Sequence, residues 1–162
     1  MRAILSDDYT LKIFRTGYPI QDGTSVRDYI HVEYLARAHV VSLDFLDKDK
    51  GSLTVNVGTG HGHSVREVIE MSEKVSGLTV PYEVVARRLG DPPTIYADPS
   101  FARESLNWKS ELDLEEIVRS SFNWYQKTLQ DIVEHLHRGF TLFSHTNVCA
   151  MLRQTLDLSE PS

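Results

Sequence analysis

The chain has 162 residues, of which 41% are hydrophobic and 25% charged, and its formal net charge is −6. This composition is typical of one ordinary globular domain, and the acidic balance argues against a nucleic-acid partner, which needs clustered Lys and Arg. The apolar runs are too short to cross a membrane, no signal peptide is recognisable at the start, and a single cysteine excludes an intramolecular disulfide. We therefore expect a cytoplasmic protein.

The first half of the chain alternates between predicted strands, a turn and a helix. Residues 11–14 predict a short strand, and the pair Asp22-Gly23 is typical of a tight turn. Apolar residues at helical spacing predict an amphipathic helix over residues 33–47. Residues 53–57, rich in β-branched side chains, are the clearest predicted strand.

The next segment carries a helix start signal and a second strand. Ser64 and Glu67 are spaced as a capping box, in which each side chain accepts the other residue's free backbone N–H. The helix that follows should end near Ser76, with Gly77 just beyond it. Residues 80–86 predict a strand that leads into a charged loop.

Two further caps begin the last helices. Asp98 beside Pro99 predicts a short helix to about residue 106, and Asp113 caps a long helix that should reach about residue 139. Residues 140–162 have mixed polarity and weak periodicity. The alternation of strands and helices predicts an α/β or mixed α+β fold.

The loop Arg87-Arg88-Leu89-Gly90-Asp91 is the first candidate site. A guanidinium is a planar fork of donors that matches phosphate oxygens, and a carboxylate can accept hydrogen bonds from ribose hydroxyl groups. Without further information, a solvated surface loop or a local ion pair explains these residues as well, and is the commoner case.

The segment Val26-Arg27-Asp28-Tyr29-Ile30-His31 is the second candidate. If it is extended, Arg27, Tyr29 and His31 share one face, which could line an anionic ligand. The simpler interpretation, which the residues alone favour, is an exposed edge segment in which Arg27 pairs with Asp28 or another nearby acid.

Three other features are weaker candidates for a functional site. The glycine-rich loop at residues 58–63 lies where a dinucleotide fingerprint would, but His63 occupies its third glycine position, so a tight connection is the better interpretation. His31, His61 and His63 have no carboxylate or thiol at a recognised metal-site spacing, and we expect no metal. Cys149 has no identifiable base and is interpreted as an inert thiol.

These segments, in this order and spacing, resemble UDP-glucose 4-epimerases of the extended short-chain dehydrogenase/reductase superfamily. The resemblance runs from about residue 9 to residue 127 and rests on ordered blocks, among them Y-P-I-Q-D-G-T-S-V-R-D-Y-I-H-V (18–32), V-N-V-G-T-G-H-G-H-S-V-R-E-V (55–68), A-R-R-L-G-D-P-P (86–93) and A-D-P-S-F-A-R-E-S-L-N-W (97–108). It implies a C-terminal substrate-binding part over residues 1–129, and residues 130–162 are an unmatched extension.

The resemblance also implies residue roles for binding a UDP-sugar. Arg27 and Arg88 match the arginines that hold its diphosphate, and Asp91 matches the acid near the uridine ribose. Lys12 and Phe14 match positions whose backbone brackets the uracil. Two departures stand out: Tyr34 replaces an Asp near the start of the 33–47 helix and could weaken its cap, and Ile95 replaces a tyrosine found near the ligand in some relatives.

The family's reaction needs NAD and a Tyr-x-x-x-Lys base, and none of the tyrosines of this chain is followed four positions later by Lys. We therefore assign no catalytic residue and expect this chain to bind no NAD. The implied function is UDP-sugar binding within an enzyme that interconverts UDP-glucose and UDP-galactose. A pentose or N-acetylhexosamine 4-epimerase and a non-catalytic binding module are the alternatives.

A last expectation concerns surface that relatives cover with their cofactor domain. The helix at 33–47 and the strand at 53–57 would expose apolar residues to water or to a partner, in particular Leu35, Ala38, Phe45, Leu53, Val55 and Val57. We therefore predict self-association or poor solubility. An apolar helical face in the extension could cover part of it, formed by Leu129, Ile132, Val133 and Leu136.

Overall fold

Helices and short strands alternate along the chain, as the sequence predicts. The structure is a computed structural model that describes residues 1–5, 9–14, 20, 22–48, 51–86 and 90–139. Its helices and strands, in chain order, are α1 (Arg2–Leu5), β1 (Leu11–Phe14), β2 (Val26–Arg27), α2 (Val32–Asp47), β3 (His63–Ser64), α3 (Val65–Ser76), β4 (Tyr82–Val85), β5 (Thr94–Ile95), α4 (Ser100–Leu106) and α5 (Leu114–Gly139). The mixed fold class is confirmed.

The strands form two small sheets. In one, β1 runs parallel to β4, with Lys12 opposite Glu83 and Phe14 opposite Val85. In the other, β2 is the central strand, antiparallel to β3 on one side and parallel to β5 on the other. The segment containing Arg27 is therefore held on both sides, and its interpretation as an exposed edge is wrong.

The capping box at the start of α3 is confirmed. The Glu67 N–H donates to Ser64 Oγ at 3.1 Å, and the Ser64 N–H donates to Glu67 Oε2 at 2.6 Å. At the other end Gly77 has a φ of +71°, a left-handed conformation that glycine adopts without a Cβ clash. This helix therefore begins and ends where the sequence predicts.

Helix α2 begins one residue before the predicted start, and its cap is His31. The Glu33 N–H donates to His31 Nδ1 at 3.2 Å. Tyr34 does not serve as a cap: its side chain is buried, and its main-chain oxygen accepts a 3.0 Å hydrogen bond from Trp108 Nε1. The tyrosine that replaces the family's Asp at position 34 is therefore a core residue, and the helix cap is His31.

Of the two predicted aspartate caps, the one at Asp98 is wrong and the one at Asp113 is confirmed. Helix α4 begins at Ser100, with Pro99 in the cap position and no side-chain capping bond, and Asp98 Oδ1 accepts from the Ser100 N–H at 3.0 Å. Asp113 Oδ1 accepts from the Glu116 N–H at 3.0 Å at the start of α5. No helix in the described ranges is long and apolar enough to cross a membrane.

The buried apolar residues form two clusters. One joins α1, β1 and α3 through the buried residues Ala3, Ile13, Ile69 and Val80. The other joins α2 to the α4 region through Tyr34, Ala38, Ala102 and Trp108. Helix α5 packs on α3 and buries Leu114, Val118 and Phe122.

The predicted strand at residues 53–57 is not a strand in the structure. Its side chains still alternate, since Leu53, Val55 and Val57 are half-buried while Thr54 and Asn56 are exposed. Val55 and Val57 pack against the cluster around Tyr34 and Ala38. The sequence pattern is therefore that of a strand, but within the described residues no neighbouring strand supplies its ladder of hydrogen bonds.

The prediction of which apolar residues face water is correct only in part. Leu35 is exposed, but Ala38 is buried, and Phe45, Leu53, Val55 and Val57 are half-buried. The most exposed apolar side chains of α2 are instead Val32, Val40, Leu43 and Leu46. We call these four residues the α2 apolar face. Of the proposed covering residues, Leu129 and Ile132 are half-buried, and the side chains of Val133 and Leu136 lie outside what the structure describes.

Candidate nucleotide-sugar site

The central strand β2 brings Arg27 to Asp91, which lies 64 positions later in the chain. Arg27 Nη2 donates to Asp91 Oδ1, and Nη1 donates to the main-chain oxygen of Val26 at 2.7 Å. The two side chains are 26% and 29% exposed, so the pair is accessible to a ligand. Arg27 thus pairs with Asp91 and not with its neighbour Asp28.

Asp28 holds the segments on both sides of β2. Its carboxylate accepts the Thr59 N–H at 3.0 Å, the Thr59 hydroxyl at 2.7 Å and the Ala97 N–H at 3.2 Å. Thr59 precedes β3 and Ala97 follows β5, so one side chain continues the hydrogen bonding where the β2 ladder ends. These bonds fix the backbone just after Arg27. They therefore also fix the position from which the Arg27 side chain extends.

The glycine-rich loop at 58–63 lies against this carboxylate, which explains its glycines. A Cβ at Gly58 would lie 2.4 Å from Asp28 Oδ2, and one at Gly62 would lie 2.3 Å from Val26 Cγ1. A side chain at either position would force these neighbouring atoms to move. The loop therefore serves here as a tight connection that packs against β2.

A second carboxylate, Asp22, fixes the turn before β2. It accepts the Thr24 N–H at 2.8 Å, the Thr24 hydroxyl at 2.9 Å and the hydroxyl of Ser64. Partial burial opposes ionisation of Asp22, but the hydrogen bonds from Ser64 and Thr24 and the charge of Arg66 outweigh it and hold its pKa below the usual value. The ionised carboxylate thus joins the turn to the start of α3.

His31 does not share a ligand-facing surface with Arg27 and Tyr29. His31 is buried, its Nε2 lies 2.9 Å from Ser120 Oγ, and its Nδ1 caps α2. Burial raises the pKa of the Tyr29 phenol, and the charge of Arg27 opposes that rise in part. The predicted face of Arg27, Tyr29 and His31 is therefore wrong for His31, which has a structural role.

The other residues predicted for the site lie on β1, on β5 or outside the described residues. Lys12 is exposed and Phe14 is half-buried, and both lie on β1, in the sheet formed by β1 and β4. Ile95 lies on β5, opposite Arg27 in the strand register, and its side chain is exposed. Arg88 lies outside the described residues, between the end of β4 and Gly90. The roles of these residues toward a ligand remain predictions.

A cleft of about 660 Å³ lies between α3, the start of α5 and the 58–63 loop, with Tyr29 at one side. Its lining is mixed, with the imidazoles of His61 and His63 and the ion pair of Lys74 with Glu115, whose atoms are 2.6 Å apart. In the part of the chain that the structure covers, no group of three His, Cys, Asp or Glu side chains is placed to hold a metal ion.

The sequence analysis missed Asp28 and Asp22 as organising residues. Both hydrogen-bond to groups that are distant in sequence, Thr59 and Ala97 for Asp28 and Ser64 for Asp22. The sequence does show two carboxylates, Asp22 and Asp28, on either side of a short segment that favours a strand. It does not show which distant N–H and hydroxyl groups donate hydrogen bonds to them.

The chain is similar in sequence to UDP-glucose 4-epimerases, although no family model matches it. The UDP-glucose 4-epimerase of Bifidobacterium longum is 46% identical over 117 residues, which are 72% of this chain and 34% of the relative. The chain therefore spans about a third of the length of the relatives it matches.

Solved structures agree with this comparison. The B. longum UDP-glucose 4-epimerase in complex with NAD+ and UDP superposes with a TM-score of 0.73 at 43% identity, covering 78% of this chain and 37% of that one. The enzyme from Stenotrophomonas maltophila, with bound NAD and formylated UDP-arabinopyranose, gives 0.72 at 43% identity, covering 75% and 36%. The resemblance predicted from the sequence is confirmed as similarity to part of these proteins.

Proposed function

We propose that this chain is the nucleotide-sugar-binding part of a UDP-glucose 4-epimerase, the family to which it is similar, and that it binds a UDP-sugar through Arg27, Arg88 and Asp91. The observation that carries the proposal is the accessible pair of Arg27 with Asp91. Two solved relatives hold UDP or a UDP-sugar derivative. The arginines supply donors for a diphosphate, and the carboxylate supplies an acceptor for ribose hydroxyl groups.

We also propose a position for the uracil, on the sheet formed by β1 and β4. Lys12 and Phe14 lie on β1, whose backbone is paired with β4 on one side. We propose that backbone groups of β1 contact the uracil, so that the side chain at Lys12 is free to vary. Leu11 already donates its N–H to the Pro81 oxygen at 2.9 Å, which fixes the start of that strand.

The enzyme of which this chain is a part would interconvert UDP-glucose and UDP-galactose by oxidation and reduction at C4 with NAD. The chain itself contains no Tyr-x-x-x-Lys sequence and no dinucleotide fingerprint. We therefore propose that it binds UDP-sugar but does not bind NAD or catalyse epimerisation alone. Soluble cytoplasmic localisation belongs to the same proposal.

A second candidate is a 4-epimerase for another UDP-sugar, either a pentose or an N-acetylhexosamine. The bound formylated UDP-arabinopyranose in the S. maltophila structure favours keeping this alternative. A non-catalytic binding module is the remaining one. The two epimerase candidates share the nucleotide and differ in the sugar, so competition between UDP-glucose, UDP-N-acetylglucosamine and UDP-arabinose for the full chain distinguishes them.

The test of the proposed site is calorimetry of UDP binding to the full chain and to Arg88→Ala. We expect the substitution to weaken binding by about tenfold or more, because a bidentate partner of the diphosphate is lost. Arg87→Ala is the matched control, since it removes the same charge one position earlier and should change affinity by less than about threefold. Equal losses in both variants, or in neither, contradict the role of Arg88.

A further inference from the structure

Three residues lie side by side across the sheet formed by β3, β2 and β5. Arg27 on the central strand is paired in register with His63 on β3 and with Ile95 on β5. Paired residues of neighbouring strands project from the same face of a sheet. A ligand bound to Arg27 therefore has the imidazole of His63 on one side of the guanidinium and the Ile95 side chain on the other.

The packing of Gly62 supports this orientation of His63. A Cβ at Gly62 would lie 2.3 Å from Val26 Cγ1, so position 62 faces the side of the sheet that carries the Val26 side chain. Successive positions along a strand face opposite sides, which places the His63 side chain on the side that carries Arg27. The His63 side chain is 32% exposed and that of Arg27 is 26% exposed, so both are accessible to a ligand.

We propose that His63 is an additional anion-binding residue of the candidate site, which binds the diphosphate together with Arg27 when its imidazole is protonated. This inference rests on the proposed UDP-sugar site and adds a residue to it. An imidazole ordinarily changes its charge between about pH 5 and about pH 8. The site therefore has one more cation at the acid end of that range.

The position of Glu67 leaves one ring nitrogen of His63 for a ligand. Nδ1 of His63 lies 3.9 Å from Glu67 Oε2, the oxygen that also accepts the Ser64 N–H at 2.6 Å. A protonated imidazole donates hydrogen bonds from both nitrogens. With Nδ1 toward Glu67, Nε2 can donate to a phosphate oxygen, and such a charge-assisted bond is stronger than a neutral one.

Charged groups of both signs surround this imidazole. Arg27 is its cationic neighbour on β2. The titratable groups that line the cleft beside it are Tyr29 and His61, Glu67, Glu70 and Lys74 of α3, and Asp113 and Glu115 of α5. A bound diphosphate adds negative charge on the Arg27 side. Binding of the anion and protonation of His63 then favour each other, because coupling between two binding events is reciprocal.

The experiment is calorimetry of the full chain titrated with UDP-glucose at about pH 6 and about pH 8. UDP-glucose is the probe because it lacks the terminal phosphate group of UDP, which itself titrates near about pH 6. We expect the affinity to be about threefold to tenfold higher at the lower pH, the effect of one added charge at a partly exposed site. His63→Asn should remove this difference, and His63→Lys should bind tightly at both pH values.

Proton uptake on binding separates this role from a structural one. Titrations at about pH 7 in two buffers of different ionisation enthalpy measure the protons that the complex takes up. The unmodified chain should take up a fraction of a proton, and His63→Asn should take up none. His39→Asn is the matched control, since it removes an exposed imidazole from α2 and should change neither the uptake nor the pH dependence. If His63→Asn does not fold, as checked by circular dichroism, His63→Gln replaces it.

The proposal is overturned if the unmodified chain binds UDP-glucose equally well at both pH values. It is also overturned if the folded His63→Asn variant keeps the pH dependence and the proton uptake, since His63 would then act only in folding. Failure of the proposed function has a different signature. In that case the folded, unmodified chain binds UDP-glucose at neither pH.

Discussion

The carboxylate of Asp28 accepts both the main-chain N–H of Thr59, at 3.0 Å, and the hydroxyl of the same residue, at 2.7 Å. This double contact joins β2 to the loop before β3, although the residues are 31 positions apart. It requires that nothing larger than a hydrogen atom stand at the neighbouring Gly58. The candidate site therefore depends on a connection that lies outside the residues proposed to bind the ligand.

Gly58→Ala should destabilise the chain by about 1–3 kcal/mol, because the new Cβ would lie 2.4 Å from Asp28 Oδ2 and 2.7 Å from Ala97 Cβ. Urea unfolding followed by circular dichroism measures the cost. In an Asp28→Ala background the same substitution should cost less, since one of the two clashing groups is gone. Costs that simply add in the double variant would show that the carboxylate does not set this packing.

Asp22 should contribute stability that depends on pH. Its pKa is depressed in the folded chain, so its contribution is present above the ordinary carboxyl pKa of about 4 and is lost as pH falls below that value. The gap in unfolding free energy between the unmodified chain and Asp22→Asn should therefore narrow as pH falls from about 6 to about 3. Asp131→Asn is the control, and a gap that is constant with pH would contradict the assignment.

The α2 apolar face should promote self-association of the isolated chain. Leu43, 62% exposed, lies on it together with Val40, 58% exposed, and Leu46, 56% exposed. Leu43→Lys should reduce light scattering and the fluorescence of a hydrophobic dye. Leu78→Lys places the same change at a position outside α2 that is 46% exposed, and should have little effect. An unmodified chain that is monodisperse and does not bind the dye would contradict the prediction.

The isolated chain should show no epimerase turnover, even with added NAD. The reaction needs a bound cofactor to exchange a hydride and a base to move a proton, and the sequence carries neither recognisable signature. Chromatography of UDP-galactose incubated with the chain and NAD measures the conversion. A matched incubation without protein is the control, and conversion above it would require a cofactor site that the sequence does not reveal.

The sequence predicted local structure well and contacts between distant segments poorly. Ser64, Glu67 and Gly77 act on groups within one or two turns of a helix, and their effects appear where the sequence predicts. The two-residue strands β3 and β5 were not predicted, and β2 was predicted only as part of an exposed edge segment, because such short strands are defined by their partners and have almost no pattern of their own.

In the candidate site, too, individual residues were predicted but the contact between them was not. That Arg27 and Asp91 matter was predicted from the family resemblance, but that they contact each other depends on how β2 lies beside β5. Residues 53–57 show the opposite error. Their alternation is real, yet a strand also needs a neighbour, and the pattern contains no information about whether one is present.

The central claim is that this chain binds the nucleotide of a UDP-sugar through the Arg27 region. Its most direct test is a calorimetric titration of the full chain with UDP, repeated with uridine and with Arg27→Ala. Saturable binding of UDP, binding of uridine that is weaker by about tenfold or more, and a similar loss in Arg27→Ala are the predicted results. A correctly folded chain that does not bind UDP, or that binds UDP and uridine equally well, would contradict the claim.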